Sequence, residues 1–145
     1  MYQIETALEI AIKAHKNQKD RYGKPYILHP LRVMMNVNGE DEKIAAILHD
    51  VVEDSEITLD DLRKSGFNVK IIDAVDCLTK REGEDYFDYI KRVLISPIAI
   101  RVKLADLEDN MDLKRIDIIT EKDIARLNRY LKAWRILKKM SNKYL

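Results

Sequence analysis

The segment Ile44-Ala-Ala-Ile-Leu-His-Asp-Val-Val-Glu-Asp54 places a histidine and three acids in an otherwise apolar run. Its aliphatic residues recur at helical spacing, and this pattern predicts a core-packed amphipathic helix over about residues 41–54. Because helical residues three or four apart share a face, we expect His49 beside Glu53, and Asp50 beside both Glu53 and Asp54. Such polar groups are costly next to a core unless hydrogen bonds or a cation satisfy them. A bound metal ion would do so.

Length and composition indicate an ordinary soluble domain. The chain has 145 residues and one cysteine, Cys77, which excludes an intramolecular disulfide and fits a reducing cytoplasm. Its neighbours Val75 and Leu78 are apolar, so we expect a buried structural thiol. We find no apolar run long enough to span a membrane and no secretory signal pattern, so the predicted location is cytoplasmic.

Charge is distributed unevenly along the chain, although the formal net charge is only +1. Residues 40–62 carry nine acids and one lysine, whereas residues 124–145 carry seven lysines or arginines and no acid. The simpler interpretation is a solvated helix face. The alternative is that some of these cations face an anionic ligand. A nucleic-acid binder usually has a larger basic excess, so no nucleic-acid partner is predicted.

Most of the chain is predicted to be helical, because glycine and proline are scarce and alternating β-branched residues are rare. Pro30 can open the second helix, and Thr58 with Asp61 forms a capping-box-like start of the fourth, which should stop near Gly66. The predicted helices otherwise cover about 3–18, 41–54, 69–78, 85–95, 97–111 and 121–142. We therefore predict one all-α domain over residues 1–145.

Further metal-ligand candidates lie outside the opening segment. His29 precedes Pro30, and Asp106 sits in an acidic island on a helix that also carries the apolar Val102 and Ala105. Two imidazoles and two carboxylates form a mixed nitrogen and oxygen set that suits Mn, Fe or Zn better than Ca or Mg. Four protein ligands on a six-coordinate ion leave room for water and substrate, as hydrolysis requires. His15 alone is expected to be a packed core histidine.

These segments together resemble the HD superfamily of metal phosphohydrolases. The resemblance is closest to the hydrolase domain of RelA/SpoT proteins and to the stand-alone small alarmone hydrolases, such as the metazoan SpoT homologues. The matching segments, in the family's order, are Gly23-Lys-Pro-Tyr-Ile-Leu-His-Pro30, Ala46-Ile-Leu-His-Asp-Val-Val-Glu-Asp54, Leu78-Thr-Lys80, and Val102-Lys-Leu-Ala-Asp106 with Asn110. The resemblance implies a compact HD-domain bundle of about seven to nine helices, with no synthetase domain.

The resemblance also implies a reaction. The family removes the 3′-pyrophosphate of ppGpp or pppGpp and leaves GDP or GTP. One divalent ion, Mn²⁺ in the family, with Zn, Fe or Co as other possibilities, would be held by His29, His49, Asp50 and Asp106. Glu53 and Asp54 would orient or deprotonate the attacking water, as a general base does.

Substrate contacts follow from the same resemblance. Cations must hold the phosphates, whose charge would otherwise repel the acids of the site. The residues expected to bind the alarmone or a related nucleotide are Lys80, Asn110, Arg126, Tyr130, Lys19 and Arg21. The prediction includes no membrane partner and leaves the oligomeric state open.

Two segments depart from the family pattern. Leu107-Glu-Asp109 replaces a more basic or aromatic run, and Asp20 interrupts a pair of cations. We expect these changes to bear on the substrate more than on the metal. Two alternatives therefore stay open: an HD phosphohydrolase for another nucleotide or a 3′-phosphorylated cofactor, and a catalytically weak nucleotide sensor.

Overall fold

The computed structural model describes residues 3–144. Within this range the regular secondary structure is helical, and there is no β-strand. The helices, in chain order, are α1 (Gln3–His15), α2 (Leu28–Met35), α3 (Glu40–Leu48), α4 (Val51–Asp54), α5 (Leu59–Lys64), α6 (Val69–Leu78), α7 (Tyr86–Val93), α8 (Pro97–Asn110) and α9 (Glu121–Tyr144), with a 3-10 turn at Leu113–Arg115. The predicted all-α class is confirmed.

Most helix ends lie where local chemistry places them. The Thr58 side chain accepts from the Asp61 N–H, while the Asp61 carboxylate accepts from the Thr58 N–H, so the predicted capping box opens α5. Gly66, with φ +89°, follows its end. The first helix ends at His15, three residues earlier than predicted, because Asn17 adopts a left-handed conformation with φ 67°. Asparagine tolerates that conformation better than most residues.

The predicted continuous helix over residues 41–54 is wrong at one place. The structure breaks it at His49 and Asp50, so that α3 ends at Leu48 and α4 begins at Val51. The His49 ring donates from Nδ1 to the Ala46 carbonyl at 2.6 Å. In an uninterrupted helix that carbonyl would accept from the Asp50 N–H, so the side chain competes with the helical hydrogen bond.

The third helix is the centre of the packing. It contacts α1, α2, α6 and α8, and all of its residues from Ile44 to Leu48 are buried. The eighth helix lies between α3 and the long α9. This arrangement brings α2, the α3–α4 junction and α8 together on one side of α3. Within the described range, none of the helices has the length and apolar character needed to cross a bilayer.

Candidate metal centre and substrate cavity

Four predicted metal ligands converge, although up to 77 positions of sequence separate them. His29 Nε2 lies 2.8 Å from Asp106 Oδ1 and 3.7 Å from Asp50 Oδ2. His49 Nε2 lies 3.0 Å from the same Asp50 oxygen and 3.5 Å from the same Asp106 oxygen. One atom from each side chain therefore borders a single small space.

The fold determines where each of these side chains points. His29 is in the first turn of α2, and Asp106 is on the buried side of α8. His49 and Asp50 lie at the break between α3 and α4. The break allows two consecutive residues to face the same space, which neighbours on a regular helix do not do.

The donor set fits a divalent cation. Two ligand atoms at about 2.1 Å from one ion and at right angles to each other lie about 3 Å apart, close to the contacts between these four side chains. The atoms of His29, His49 and Asp50 lie within 4.8 Å of one another. In the described part of the chain, His49 Nε2 is buried without a hydrogen-bond partner, because its contacts with the carboxylates lack hydrogen-bond geometry. A metal ion would satisfy this nitrogen.

The charges around the four proposed ligands shift the pKa of each. Burial disfavours the charged form of each, but the facing charges outweigh burial. Hydrogen bonds to Asp106 and Asp109 raise the pKa of His29, and the negative charges of Asp50 and Asp106 raise the pKa of His49. The facing charge of His49 holds the pKa of Asp50 below its usual value, and Lys103 does the same for the pKa of Asp106. Both carboxylates are therefore ionised and available to a cation.

The two predicted catalytic acids differ in their surroundings. Glu53 lines two adjoining cavities, and its Oε1 accepts from the Lys80 N–H at 2.8 Å, which leaves Oε2 without a bond to the described residues. Asp54 lines neither cavity. Burial and the neighbouring charges of Asp50 and Glu53 raise the pKa of Asp54 to about 7. The structure thus places Glu53 at the wall of the cavity that the metal ligands line, whereas Asp54 does not line it but interacts electrostatically with Asp50, Glu53 and both histidines.

Substrate-binding candidates line the same space, with one exception. Lys19, Arg21, Asn110 and Tyr130 line a cavity of about 560 Å³ that also contains His29, Asp50 and Asp106. Lys80 lines a second cavity of about 490 Å³, which shares Asp50, Glu53 and Tyr130 with the first. Arg126 lines neither cavity, and its guanidinium is paired with Asp123. Asn110 also donates to Asp106 Oδ1 at 3.1 Å and so supports a predicted metal ligand.

Sequence reasoning missed three polar groups that complete the site. Lys103 Nζ donates to Asp106 Oδ2 at 2.7 Å, and Tyr26 Oη donates to Asp50 Oδ2 at 2.5 Å. Asp109 Oδ2 accepts from His29 Nδ1 at 2.7 Å. The presence of Tyr26 and Lys103 inside the family-like segments was the available signal. Another cation, Arg129, lines the second cavity and lies over the Tyr86 and Tyr130 rings.

The departures from the family pattern have structural explanations. Leu107 is fully buried in the core, and Glu108 accepts from the Trp134 indole at 3.0 Å. Asp109 is neutralised by His29 and by flanking arginines. Asp20 Oδ1 accepts from the Tyr22 and Lys24 N–H groups and so shapes the loop that carries Lys19 and Arg21.

Known proteins resemble this chain in sequence over most of its length. It is 34% identical over 121 residues to the guanosine-3′,5′-bis(diphosphate) 3′-pyrophosphohydrolase of Aquifex aeolicus, a match that covers 75% of this chain and 17% of that protein. It is 36% identical over 125 residues to a GTP pyrophosphokinase of Streptomyces antibioticus, covering 78% and 15% respectively. The chain therefore spans only about a sixth of the length of these curated relatives. A comparison with models of protein families finds no match.

Comparison of folds gives a match over nearly the whole chain. A solved structure, described as a metazoan ortholog of SpoT that hydrolyzes ppGpp and plays a role in starvation responses, superposes with a TM-score of 0.73. It is 22% identical in sequence, and the match covers 99% of this chain and 93% of that chain. The fold is thus that of a SpoT-type helical protein. The sequence matches relate the chain to RelA/SpoT-type proteins, which confirms the resemblance found in the motifs.

Proposed function

We propose that this protein hydrolyses the 3′-diphosphate of a guanosine alarmone, ppGpp or pppGpp, to give GDP or GTP and pyrophosphate, with Mn²⁺ as its metal. The observation that carries the proposal is the convergence of His29, His49, Asp50 and Asp106 at a cavity that Glu53 also lines. Residues 1–145 would form one HD-type hydrolase domain.

Hydrolysis is supported by the description of the fold match and by the chemistry of the site. The longer relatives bear names for both activities, and this chain spans only a small part of each. The SpoT ortholog, by contrast, matches along 93% of its own length, and its description names hydrolysis. The metal-ligand cluster beside a free carboxylate oxygen suits the same reaction.

We assign metal binding and proton acceptance to different residues. His29, His49, Asp50 and Asp106 would hold the ion, which when bound supplies a Lewis acid and a water of lowered pKa. Glu53 Oε2 would accept the proton of the attacking water, since its other oxygen is fixed by the Lys80 N–H.

Asp54, the second predicted catalytic acid, would help Glu53 to orient or deprotonate the attacking water. Its charge interacts with Asp50, Glu53 and the two histidines, and its backbone carbonyl accepts from the Gln18 amide at 2.9 Å, which fixes the end of α4. The two adjoining cavities would accommodate the two phosphate arms of an alarmone. Lys19, Arg21, Tyr130 and Asn110 would bind the nucleoside side, and Lys80 would bind the terminal 3′-phosphate. For Arg126 the same role requires release from Asp123.

Product identification tests the proposal. Pure protein is incubated with ppGpp and Mn²⁺, in parallel with Zn²⁺, Fe²⁺, Co²⁺ and a chelated sample. We expect GDP and pyrophosphate in equal amounts, with no turnover after chelation. Orthophosphate released from another nucleotide, without pyrophosphate from ppGpp, would favour a different phosphohydrolase. Tight ppGpp binding without turnover under any metal would identify a sensor instead.

A further inference from the structure

A buried carboxylate stands directly behind one of the proposed metal ligands. Asp109 Oδ2 accepts from His29 Nδ1 at 2.7 Å, and both side chains are more than nine-tenths buried. The other ring nitrogen, Nε2, faces Asp50 and Asp106. His29 therefore lies between the ligand cluster and a second, separate acid.

The two histidines of the cluster are oriented by different means. His49 Nδ1 donates to the uncharged Ala46 carbonyl at 2.6 Å. His29 Nδ1 instead donates to the Asp109 carboxylate, which also accepts two N–H bonds from the Arg32 guanidinium. A carboxylate holds the ring in one tautomer more firmly than a carbonyl, since the bond is charge-assisted.

Two arginines fix the position of Asp109 itself. Arg32 donates from Nε to Oδ1 at 2.8 Å and from Nη2 to Oδ2 at 3.1 Å, a two-pronged contact along the carboxylate. Arg115 donates from Nη2 to the Asp109 backbone carbonyl at 2.6 Å. Both arginines line the larger cavity. The Asp109 side chain is thus buried and hydrogen-bonded to His29 and Arg32, and Arg115 binds its backbone, so its position is fixed more firmly than that of an exposed surface acid.

We infer that Asp109 is a positioning residue that keeps His29 in the Nδ1–H tautomer and turns its Nε2 toward the metal. The inference rests on the proposed metal site and extends it to a residue at which this chain departs from the family pattern. Asp109 also joins that ligand to Arg32 and Arg115, so that the metal site and the cationic wall of the cavity form one hydrogen-bonded unit.

The expected consequence is a contribution to metal affinity. Loss of the group that orients a metal-ligating histidine commonly lowers metal affinity about 10- to 100-fold. Asp109→Asn keeps the shape of the side chain but removes its charge and turns an N–H donor toward either His29 or Arg32. We therefore expect metal binding to weaken by about that factor in the variant.

The test compares Asp109→Asn with Asp112→Asn, a matched control. Asp112 is also an acid that contacts Arg115, at 3.3 Å, and it caps the 3-10 turn, but it is not a partner of His29. Metal affinity is measured by competition with a chromogenic chelator, for Mn²⁺ and for Zn²⁺. We expect the affinity to fall in Asp109→Asn and to stay near wild type in Asp112→Asn. Equal affinities in all three proteins would overturn the inference.

A second readout reports on His29 directly. Nitrogen-15 spectra of the Zn²⁺-loaded protein, with only three histidines to assign, distinguish a ring protonated at Nδ1 from other states. We expect a pure Nδ1–H signal for His29 in the wild type and a mixture in Asp109→Ala. A pure Nδ1–H signal in Asp109→Ala would contradict the role. If neither Asp109 variant folds, Arg32→Gln gives the same comparison, with a smaller loss of affinity expected and unchanged affinity overturning the inference.

The outcomes separate this inference from the proposed function. A wild-type protein that binds no metal overturns the metal site and, with it, any role of Asp109 toward a metal. A wild-type protein that binds metal and cleaves ppGpp, with Asp109→Asn equal to it in affinity and tautomer, overturns the inference and leaves the proposed function standing.

Discussion

At the scale of single residues, Glu53 has the clearest test. One of its oxygens is bound by the Lys80 N–H, the other has no bond to the described residues, and the side chain lines the cavity. Glu53→Gln keeps the size of the side chain but removes its ability to accept a proton. We expect an unchanged metal content and a kcat lower by about 10²- to 10⁴-fold, the range typical of a lost general base. Elemental analysis and steady-state kinetics on the same sample measure both.

The matched control for Glu53 is Glu56→Gln. Glu56 is an exposed glutamate three residues further along the chain, beyond the end of α4, and it lines neither of the two cavities beside Glu53. The Glu56→Gln variant should keep the wild-type turnover rate. A Glu53→Gln enzyme that works at the wild-type rate would remove Glu53 from the mechanism.

Lys103 gives a second prediction at this scale. Its ammonium group is bound to Asp106 and lies 5.1 Å from the centre of the Tyr89 ring. Lys103→Met would leave a buried carboxylate without its cation, which costs about 3–5 kcal/mol in comparable pairs. We expect the metal-free protein to lose about that much free energy of unfolding, and added Mn²⁺ to restore part of it. Urea unfolding with and without metal measures both effects.

Arg101→Met is the control for Lys103. Arg101 pairs with Glu42 at 2.8 Å, but its side chain is 35% exposed. A pair so accessible to water contributes about 1 kcal/mol or less. Equal losses in the two variants would show that the Lys103 pair has no special importance.

Some residues of the site could be predicted from the sequence, and others could not. The four proposed ligands could be found because each is a metal-binding residue type beside apolar neighbours, and because the motifs follow a family order. Asp109 was noticed only as an additional acid. Its neutralisation by His29, Arg32 and Arg115 depends on residues up to 80 positions away, which local spacing does not reveal.

At the scale of elements, the break between α3 and α4 is the feature that helical periodicity could not predict. Apolar spacing continues through His49 and Asp50, so the pattern indicates one helix. The interruption comes from a side chain that bonds the Ala46 carbonyl. By contrast, α6 and the capped start of α5 were predicted well, because their boundaries are determined by residues within the segments themselves.

The loop between α6 and α7 gives a pH-dependent prediction. Arg92 donates to both oxygens of Glu84 and to the carbonyls of Asp76 and Thr79, and its hydrogen bonds lower the pKa of Glu84 to about 2. Because the folded pKa lies below the ordinary 4.5, this contribution to stability is complete above about pH 4.5 and is lost as the pH falls toward 2.

Glu84→Gln tests this contribution. We expect the variant to be less stable than wild type by about 1 kcal/mol at neutral pH, the usual scale of a charge-assisted hydrogen bond. The difference should narrow at about pH 3.5, where the wild-type carboxylate loses its advantage. Urea unfolding of both proteins at the two pH values measures it. A difference that stays constant with pH would show that the charge of Glu84 is not responsible.

At the scale of the whole molecule, the proposed ion joins three separate parts of the fold. Its ligands come from α2, from the α3–α4 junction and from α8, so global unfolding must release the metal. A ligand that binds only the folded state at 100 times its dissociation constant adds about 2.7 kcal/mol of stability. We expect thermal unfolding of the metal-free protein to shift upward with added Mn²⁺, as scanning calorimetry would measure, and Asp50→Ala to abolish the shift. An equal shift in the variant would place the bound ion elsewhere.

The all-α fold class could be predicted from the sequence. Glycine and proline are scarce and apolar residues recur at helical spacing, which leaves little alternative. The joining of two cavities around Glu53 and Tyr130 did not follow, because it depends on how α9 packs against α8 and how the α6–α7 loop is anchored. Tertiary packing therefore decides which of the predicted cations reach the site and which, like Arg126, pair elsewhere.

The proposed metal centre can be tested by titrating Mn²⁺ into metal-free protein, followed by calorimetry and elemental analysis. We expect one ion per chain for the wild type and loss of that ion in both Asp50→Ala and Asp106→Ala, with helical content retained. A wild-type protein that takes up no divalent cation, or variants that bind it as well as the wild type, would show that these side chains do not form a metal site.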